Sequence, residues 1–168
     1  MEKAIRVIEE IAQRGIIRAY AIGGGIAATY YIEPVLTYDL DIFFIPAKEG
    51  LDVLAPIYDF AKERGYDTRA EAILIEGFPV QFIPAYNDLV RAAVDDAAIL
   101  KYRGVEAKVV KVEYLIAIAL QTGRAKDKER VIRLLDDAVI DRAILSGILE
   151  SAGLTDKFKN FESQFYGK

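Results

Sequence analysis

Apolar residues recur along the chain with two periods, which predict both helices and strands. The first helical pattern covers residues 2–14 and ends at Gly15. Six short apolar runs predict strands over residues 18–22, 39–45, 72–75, 79–83, 98–102 and 106–110. The remaining helical patterns cover residues 26–32, 51–64, 88–95, 114–121, 126–138, 142–151 and 155–165.

Turn residues set the boundaries of several of these elements. Pro34 predicts the end of the second helix, and Asn87 is a suitable N-cap for the helix that follows it. Two hairpins are predicted, one turning at Glu76-Gly77-Phe78 and the other at Arg103-Gly104. Strands and helices are therefore mixed in the first two thirds of the chain, and only helices follow.

The order of the elements predicts an α/β (α+β) fold with a small mixed sheet flanked by helices and a C-terminal helical tail. We place a seam near Lys111, between an α/β core over residues 1–111 and a helical region over residues 112–168 that packs on it. A chain of 168 residues buries about two-thirds of its unfolded surface, so one hydrophobic core is expected.

Composition excludes several kinds of chemistry. The chain has no Cys and no His, which excludes disulfides, thiolate nucleophiles, imidazole bases and the usual zinc ligands. Catalysis would have to use carboxylates, Lys, Arg, hydroxyls or a hard cation. No apolar run approaches the ~20 residues that cross a bilayer, and no signal segment begins the sequence, so we expect a cytoplasmic protein without a membrane partner.

Charge is distributed unevenly along the chain. The net charge of −4 argues against a general nucleic-acid-coating surface. Between residues 101 and 133, however, nine Lys and Arg stand against four Asp and Glu. This local excess of positive charge predicts contact with an anionic ligand.

Asp39 and Asp41 are the first candidate site residues. Alternate residues of a strand point to the same face, so the two carboxylates are expected side by side. At ~4 Å and an effective dielectric of ~20 they would repel by about 4 kcal/mol, which favours a cation between them. Mg²⁺ or Mn²⁺ suits such a pair, because carboxylate, phosphate and water oxygens together complete its coordination shell.

The glycine turn Gly23-Gly24-Gly25 is the second candidate. It follows a predicted strand and precedes a predicted helix. Residues without Cβ let an anion approach the main chain, and N–H groups at a helix start favour phosphate. A triphosphate held there would lie close to a metal ion at Asp39 and Asp41, the combination that phosphoryl and nucleotidyl transfer require.

These motifs resemble the nucleotidyltransferase superfamily related to polymerase β. Its signature is a glycine pair, a short helix and an Asp-hydrophobic-Asp strand, which here correspond to Gly23-Gly24-Gly25 and Asp39-Leu40-Asp41. Within the superfamily, the chain most resembles the minimal nucleotidyltransferases of bacterial abortive-infection and toxin-antitoxin systems. A later element of those proteins corresponds to Arg124-Ala125-Lys126-Asp127, and the resemblance spans roughly residues 17–135.

The resemblance implies Mg²⁺-dependent transfer of a nucleoside monophosphate from a nucleoside triphosphate to a hydroxyl. The acceptor would be RNA such as tRNA, a protein or a small molecule, and an antitoxin could be a partner. Asp39 and Asp41 would hold the metal ion. The groups implied to contact the nucleotide are Gly23, Gly24, Gly25, Thr37, Arg124 and Lys126.

Two positions depart from the family pattern. Gln81 stands where a third acid is usual, so it would orient the acceptor and could not deprotonate it. Ala119 stands where a basic residue is common. An alternative function is therefore a nucleotide-binding or partner-binding module that has kept the fold and lost the chemistry.

Two simpler interpretations stay open. Arg124, Lys126 and their neighbours Lys128 and Arg130 could form only a solvated helix face. A Rossmann dinucleotide site would place Gly23-x-Gly25-x-x-Ala28 after its first strand, with an acid later in the chain. In that fold the acid ends the second strand, whereas here the two acids begin theirs, which argues against the Rossmann interpretation.

Overall fold

A computed structural model describes residues 1–33, 37–102 and 104–167, and within them the chain forms eight helices and seven strands. The helices are α1 (Glu2–Gln13), α2 (Gly24–Ala28), α3 (Ala55–Glu63), α4 (Asp88–Asp95), α5 (Val112–Thr122), α6 (Ala125–Asp137), α7 (Arg142–Ser151) and α8 (Thr155–Tyr166). The strands are β1 (Ile17–Ile22), β2 (Leu40–Pro46), β3 (Thr68–Arg69), β4 (Ala72–Ile75), β5 (Phe78–Pro84), β6 (Ala98–Tyr102) and β7 (Val105–Val109).

The strands join one mixed sheet in the order β3-β4-β5-β2-β1-β7-β6. β1 is antiparallel to β2 and parallel to β7, and β2 is parallel to β5. The predicted α/β class with a mixed sheet flanked by helices is confirmed. The Rossmann interpretation is wrong, because its first two strands are parallel and those of this chain are antiparallel.

The two faces of the sheet carry different layers. Tyr20 of β1 donates a hydrogen bond to Glu9 of α1 at 2.8 Å, so α1 covers one face. α3 lies beside α1, where Arg64 pairs with Glu10. Because side chains alternate along β2, Asp41 and Phe43 point to the opposite face, which α5 and α6 cover.

Local signals explain why several elements begin where the sequence predicts. Ala4, Ile8 and Ile11 lie on the buried side of α1, and Gly15 follows that helix with a φ of +69°. Asn87 caps α4, since its side chain accepts the Val90 N–H at 2.9 Å. The fold thus uses ordinary capping and amphipathic patterning away from the site.

The hairpin between β4 and β5 is tighter than predicted. Glu76 and Gly77 have φ values of +51° and +83°, so these two residues alone make the turn. β5 consequently begins at Phe78, which pairs with Ile75. The other predicted turn, at Arg103-Gly104, includes Arg103, which lies outside the described residues.

Two local predictions are wrong, and one strand was not predicted. α2 starts at Gly24 and ends at Ala28, not over residues 26–32, and the predicted stop at Pro34 lies outside the described residues. α3 starts at Ala55 instead of residue 51, because Asp52 accepts the N–H groups of the turn that precedes it. β3 was not predicted, since two residues are too few to show a period.

The C-terminal helices share their core with the sheet. Leu115 and Ile118 of α5, Leu134 of α6 and Leu145 of α7 are buried in the same apolar cluster as Phe44 of β2. The domain boundary near residue 111 stays a prediction. None of the helices in the described part of the chain is long and apolar enough to cross a membrane.

Candidate functional site

The start of β2 carries the two candidate acids. Asp39 immediately precedes the strand, and Asp41 is its second residue, so the strand begins one residue later than predicted. Asp39 is exposed and Asp41 is half-buried. The main-chain oxygen of Asp41 accepts the Gly23 N–H at 2.9 Å, which fixes the glycine turn against β2.

The electrostatic surroundings of Asp41 are unusual for a carboxylate. Burial raises the pKa of Asp41 above its ordinary value, and the charge of Asp39 raises it further. The cations Arg130, Lys126 and Arg124 act in the opposite direction. Among the residues that the structure describes, no hydrogen bond or ion pair reaches the Asp39 or Asp41 carboxylate.

This pair of acids fits a hard cation that is shared with a substrate. Because no described residue bonds to these two carboxylates, their oxygens are available for coordination, as Mg²⁺ or Mn²⁺ requires. Within residues 1–33, 37–102 and 104–167 there is no group of three or more acidic side chains that could enclose a metal ion. A cation at Asp39 and Asp41 would therefore need further ligands from phosphate and water.

The glycines of the turn make room for side chains of the site. A Cβ on Gly24 would lie 1.8 Å from Oδ2 of Asp41, and Gly24 has a φ of +58°. A Cβ on Gly25 would lie 2.8 Å from Oγ1 of Thr37. Any larger residue at either position would displace a candidate site residue, so both glycines have a steric reason that sequence reasoning did not identify.

Gly23 has a similar packing role. A Cβ at this position would lie 2.3 Å from the ring of Phe43. The first backbone bond of α2 runs from the Ala27 N–H to the Gly23 oxygen, which leaves the N–H groups of Gly24 and Gly25 without a helical acceptor. Binding of phosphate by these groups stays a prediction.

Two cavities meet at the acid pair. The first, which we call the inner cavity, has a volume of about 230 Å³ and lies between β2, β5, α5 and α6. Its apolar wall is formed by Phe43, Ile83, Leu115 and Ile118, with Tyr86 at the rim. Its polar side is formed by Asp41, Arg124, Lys126 and Arg130.

The second cavity, which we call the outer cleft, has a volume of about 520 Å³, and most of the residues that line it are charged or carry a hydroxyl. Thr37 and Asp39 form one side of the cleft. Helix α6 forms the other side, with Lys126, Glu129, Arg130 and Arg133. Asp39 thus borders the outer cleft, and Asp41 borders the inner cavity.

Helix α6 directs a row of cations towards the two acids. Lys126, Arg130 and Arg133 are spaced four and three residues apart, so they share one face of the helix. Lys128 belongs to the other side of α6, where it lines a separate cavity with α8. The run of basic residues therefore divides into one face that meets the site and one that does not.

Asp127 holds Arg130 of this row together with Arg124. Its carboxylate is only 1% exposed and accepts from Nε of Arg124 at 2.7 Å and from a terminal nitrogen of Arg130 at 3.4 Å. Sequence reasoning did not select Asp127, Arg130 or Arg133 as site residues. Their helical spacing from Lys126 was the available signal, but only tertiary packing shows which face meets the acids.

The remaining predicted position lies next to Asp41 in the sheet. Gln81 of β5 pairs with Asp41 in the parallel ladder, so the two side chains share a face. The amide of Gln81 donates to Oε2 of Glu71 at 3.0 Å. Ala119 is buried and lines the inner cavity, where it faces the same space as Arg130.

No protein-family model matches the sequence, and no curated protein is significantly similar to it. Solved structures are similar in fold. The antibiotic-resistance factor ANT(2'')-Ia in solution is 15% identical, with a TM-score of 0.54 over 99% of this chain and 97% of that chain. ANT(2")-Ia in complex with adenylyl-2"-tobramycin is 16% identical, with a TM-score of 0.51 over 96% of this chain and 98% of that chain.

A further solved structure has a similar degree of likeness. The antigenic nucleotidyltransferase-like protein from Paracoccidioides brasiliensis is 15% identical, with a TM-score of 0.57 over 96% of this chain and 90% of that chain. At these identities the likeness concerns the fold and not the individual side chains. The chain therefore has the nucleotidyltransferase fold, which confirms the fold that its glycine turn and Asp-Leu-Asp motif predicted.

Proposed function

We propose that the protein is a metal-dependent nucleotidyltransferase that moves a nucleoside monophosphate from a nucleoside triphosphate to a hydroxyl and releases pyrophosphate. The proposal rests on one observation: Asp39 and Asp41 face the cations of α6 across two adjoining cavities. The fold supports the general reaction, since one structure of ANT(2")-Ia contains adenylylated tobramycin.

The outer cleft suits the triphosphate. Lys126, Arg130 and Arg133 provide three cations along one wall, and charge-assisted hydrogen bonds to phosphate are the strongest that such side chains make. Thr37 adds a hydroxyl on the opposite wall. A divalent cation at Asp39 and Asp41 would neutralise phosphate charge from that side, which is the chemistry that Mg²⁺ or Mn²⁺ supplies when bound.

The inner cavity suits the nucleoside. Phe43, Ile83 and Leu115 give it an apolar wall, and the exposed ring of Tyr86 at the rim offers a surface on which a base could stack. Asp41 and Arg130 lie at the junction with the outer cleft, so the α-phosphate would sit between them. The protein groups would then orient the nucleotide and exclude water from its base.

The acceptor is a hydroxyl compound whose class must be found by experiment. The adenylylated tobramycin bound to ANT(2")-Ia makes aminoglycosides a reasonable first panel of small-molecule acceptors. tRNA and protein hydroxyls form the second panel, and a co-purified antitoxin would be the expected partner if the chain acts in a toxin-antitoxin system. The net charge of −4 favours a transient over a tight RNA complex.

A second candidate function follows from Gln81. This amide stands beside Asp41 in the sheet and cannot accept a proton from a hydroxyl. A chain without a base would bind a nucleotide and Mg²⁺ but would not transfer the nucleotide. Wild-type protein that shows metal-dependent binding and no turnover with any acceptor would favour this candidate.

Thermal unfolding with ATP, CTP, GTP and UTP, each with and without Mg²⁺, tests the proposed site. A ligand at a hundred times its Kd stabilises the native state by roughly 2.7 kcal/mol, which raises Tm by several degrees. We expect a Mg²⁺-dependent shift that Asp41→Asn abolishes. Asp137→Asn, which alters an exposed carboxylate at the far end of α6, is the control and should keep the shift.

A shift that does not depend on Mg²⁺, or that survives in Asp41→Asn, would remove the acid pair from the site. If the expected shift is observed, the nucleotide that gives the largest shift is used in transfer assays with a label on its α-phosphate.

A further inference from the structure

A row of residues crosses the sheet at the level of Asp41. Gly23 bonds to Asp41 on one side, and Gln81 pairs with Asp41 on the other. The antiparallel ladder of β4 and β5 pairs Ile73 with Val80, so continuing it by one residue places Ala72 beside Gln81. The row therefore runs from Gly23 through Asp41 and Gln81 towards the start of β4.

Glu71 stands at the end of this row. It immediately precedes β4, in the turn from β3, where Ala70 has a φ of +53°. Its carboxylate is exposed, and Oε2 accepts from Nε2 of Gln81 at 3.0 Å. Gln81 therefore turns its donor group to Oε2 of Glu71. The second carboxylate oxygen, Oε1, accepts no hydrogen bond from the described part of the chain.

Nucleotidyl transfer needs a group that takes the acceptor's proton. Asp39 and Asp41 would be occupied by the cation, and Asp127 is buried between two arginines. Glu129 lies in the outer cleft among the phosphate-binding cations. Glu71 is held beside Gln81, the neighbour of Asp41 in the sheet, and it is not among the described residues that line the outer cleft.

We infer that Glu71 is the general base of the reaction and that Gln81 is the positioning residue that holds it over the sheet. The inference rests on the proposed function and names the group that Gln81 alone cannot provide. An acceptor hydroxyl over Gln81 would lose its proton to Glu71 while its oxygen forms a bond to the α-phosphorus. The bond from the α-phosphorus to the bridging oxygen breaks, and pyrophosphate leaves with that electron pair.

The absence of a three-carboxylate cluster agrees with this role. Glu71 does not form a metal-binding group with Asp39 and Asp41 among the described residues. Glu71 instead contacts Gln81, the neighbour of Asp41 in the sheet, where a carboxylate can act on the acceptor.

The test compares four chains in pyrophosphate release from the Mg²⁺-bound nucleotide that gives the largest thermal shift, with water and then glycerol as acceptor. The chains are the wild type, Glu71→Gln, the double variant Glu71→Gln/Gln81→Glu, and Glu76→Gln. The last is a matched control, since Glu76 is also an exposed acid in a turn flanking β4 and accepts from Tyr66. Thermal shift with Mg²⁺ and nucleotide is measured for each chain.

Glu71→Gln should lower kcat by at least ~100-fold, the usual effect of removing a general base, with nucleotide affinity unchanged. Glu71→Gln/Gln81→Glu moves the carboxylate to the partner side of the same hydrogen bond and should restore kcat to within about tenfold of wild type. Glu76→Gln should behave as wild type. The rescue separates a base from a merely structural glutamate, because the double variant changes the turn as much as the single one.

A Glu71→Gln chain that keeps wild-type kcat, or a double variant that recovers nothing, would overturn the inference while the nucleotide site stands. Wild-type protein that binds Mg²⁺ and nucleotide but releases no pyrophosphate would also overturn it, because a base over Gln81 would activate water there. A wild-type chain with no Mg²⁺-dependent shift would instead refute the proposed function itself.

Discussion

The carboxylates of β2 and the cations of α6 face each other, but they are held by different means. Asp41 is placed by the backbone: its strand pairs with β1 and β5, and its main-chain oxygen accepts from Gly23. Arg124 and Arg130 are placed by one buried side chain, Asp127. Asp41 is therefore fixed by the sheet, whereas the positions of these two arginines depend on a single carboxylate. We call the side with Asp39 and Asp41 the acid wall and the side with the α6 cations the cation wall.

This difference predicts two kinds of mutational effect. Changes on the acid wall should remove chemistry and leave the fold intact, because the carboxylates contribute little to packing. Changes on the cation wall should weaken nucleotide binding before they affect the reaction, because the arginines can still reach phosphate from altered positions.

The largest effect is expected from Asp39→Ala and Asp41→Ala. Each removes one of the two carboxylates that would neutralise phosphate charge through the cation, so transfer should fall by roughly 10³-fold or more. Release of labelled pyrophosphate measures the effect, and far-UV circular dichroism checks the fold. Turnover near the wild-type rate in either variant would exclude the acid pair from the reaction.

Gly24→Ala should give the next largest effect. Its Cβ would lie 1.8 Å from Oδ2 of Asp41, so the carboxylate must move, and misplacement by about 1 Å costs transfer roughly 10²-fold. Gly147→Ala is the matched control, since a Cβ there meets open space within α7. That control should keep activity and add about 0.5–1 kcal/mol of stability in urea unfolding.

On the cation wall, Asp127→Asn and Arg130→Ala should each raise the nucleotide Kd by about 10- to 100-fold, the equivalent of one charge-assisted hydrogen bond. The double variant should lose little more than either single one, because Asp127 acts by holding Arg130. Titration calorimetry with Mg²⁺ and nucleotide measures these values. Lys128→Ala, on the other side of α6, should bind as wild type, and losses that simply add would contradict the coupling.

The smallest effect concerns the stability of the ligand-free protein. Because burial raises the pKa of Asp41, the native state binds this proton more tightly than the unfolded chain does. The contribution of Asp41 to the free energy of unfolding is largest below its ordinary pKa of 3.8, and it is lost as pH rises through the raised pKa of the native state. Asp41→Asn should therefore be more stable than wild type at pH 7, by a margin that shrinks as the pH of urea unfolding approaches 4.

The same two walls differ in how far the sequence predicts them. Asp39, Asp41 and the glycines stand close together in the chain, and strand periodicity alone puts the acids on one face. The fold could therefore be predicted from residues 22–41 and the order of elements. The bounds of α2 and α3 depend on turn geometry and were missed.

The groups that sequence reasoning missed belong to long-range packing. Arg130 and Asp127 look like ordinary surface charges until α6 is laid against the acids. Glu71 stands ten residues before Gln81, and only the antiparallel pairing of β4 with β5 brings the two side chains within 3.0 Å. Such contacts leave no period in the sequence, because they depend on which faces of two elements meet.

Lys126 and Arg130 border both the inner cavity and the outer cleft. An anion in the cleft therefore changes the field felt by whatever occupies the cavity, and the two ligands must affect each other's affinity by the same factor. Pyrophosphate that stays bound after transfer would neutralise these cations and thereby change the affinity of the inner cavity for the other product. The order in which products leave, and the strength of inhibition by pyrophosphate, would then be set by two side chains on a single helix.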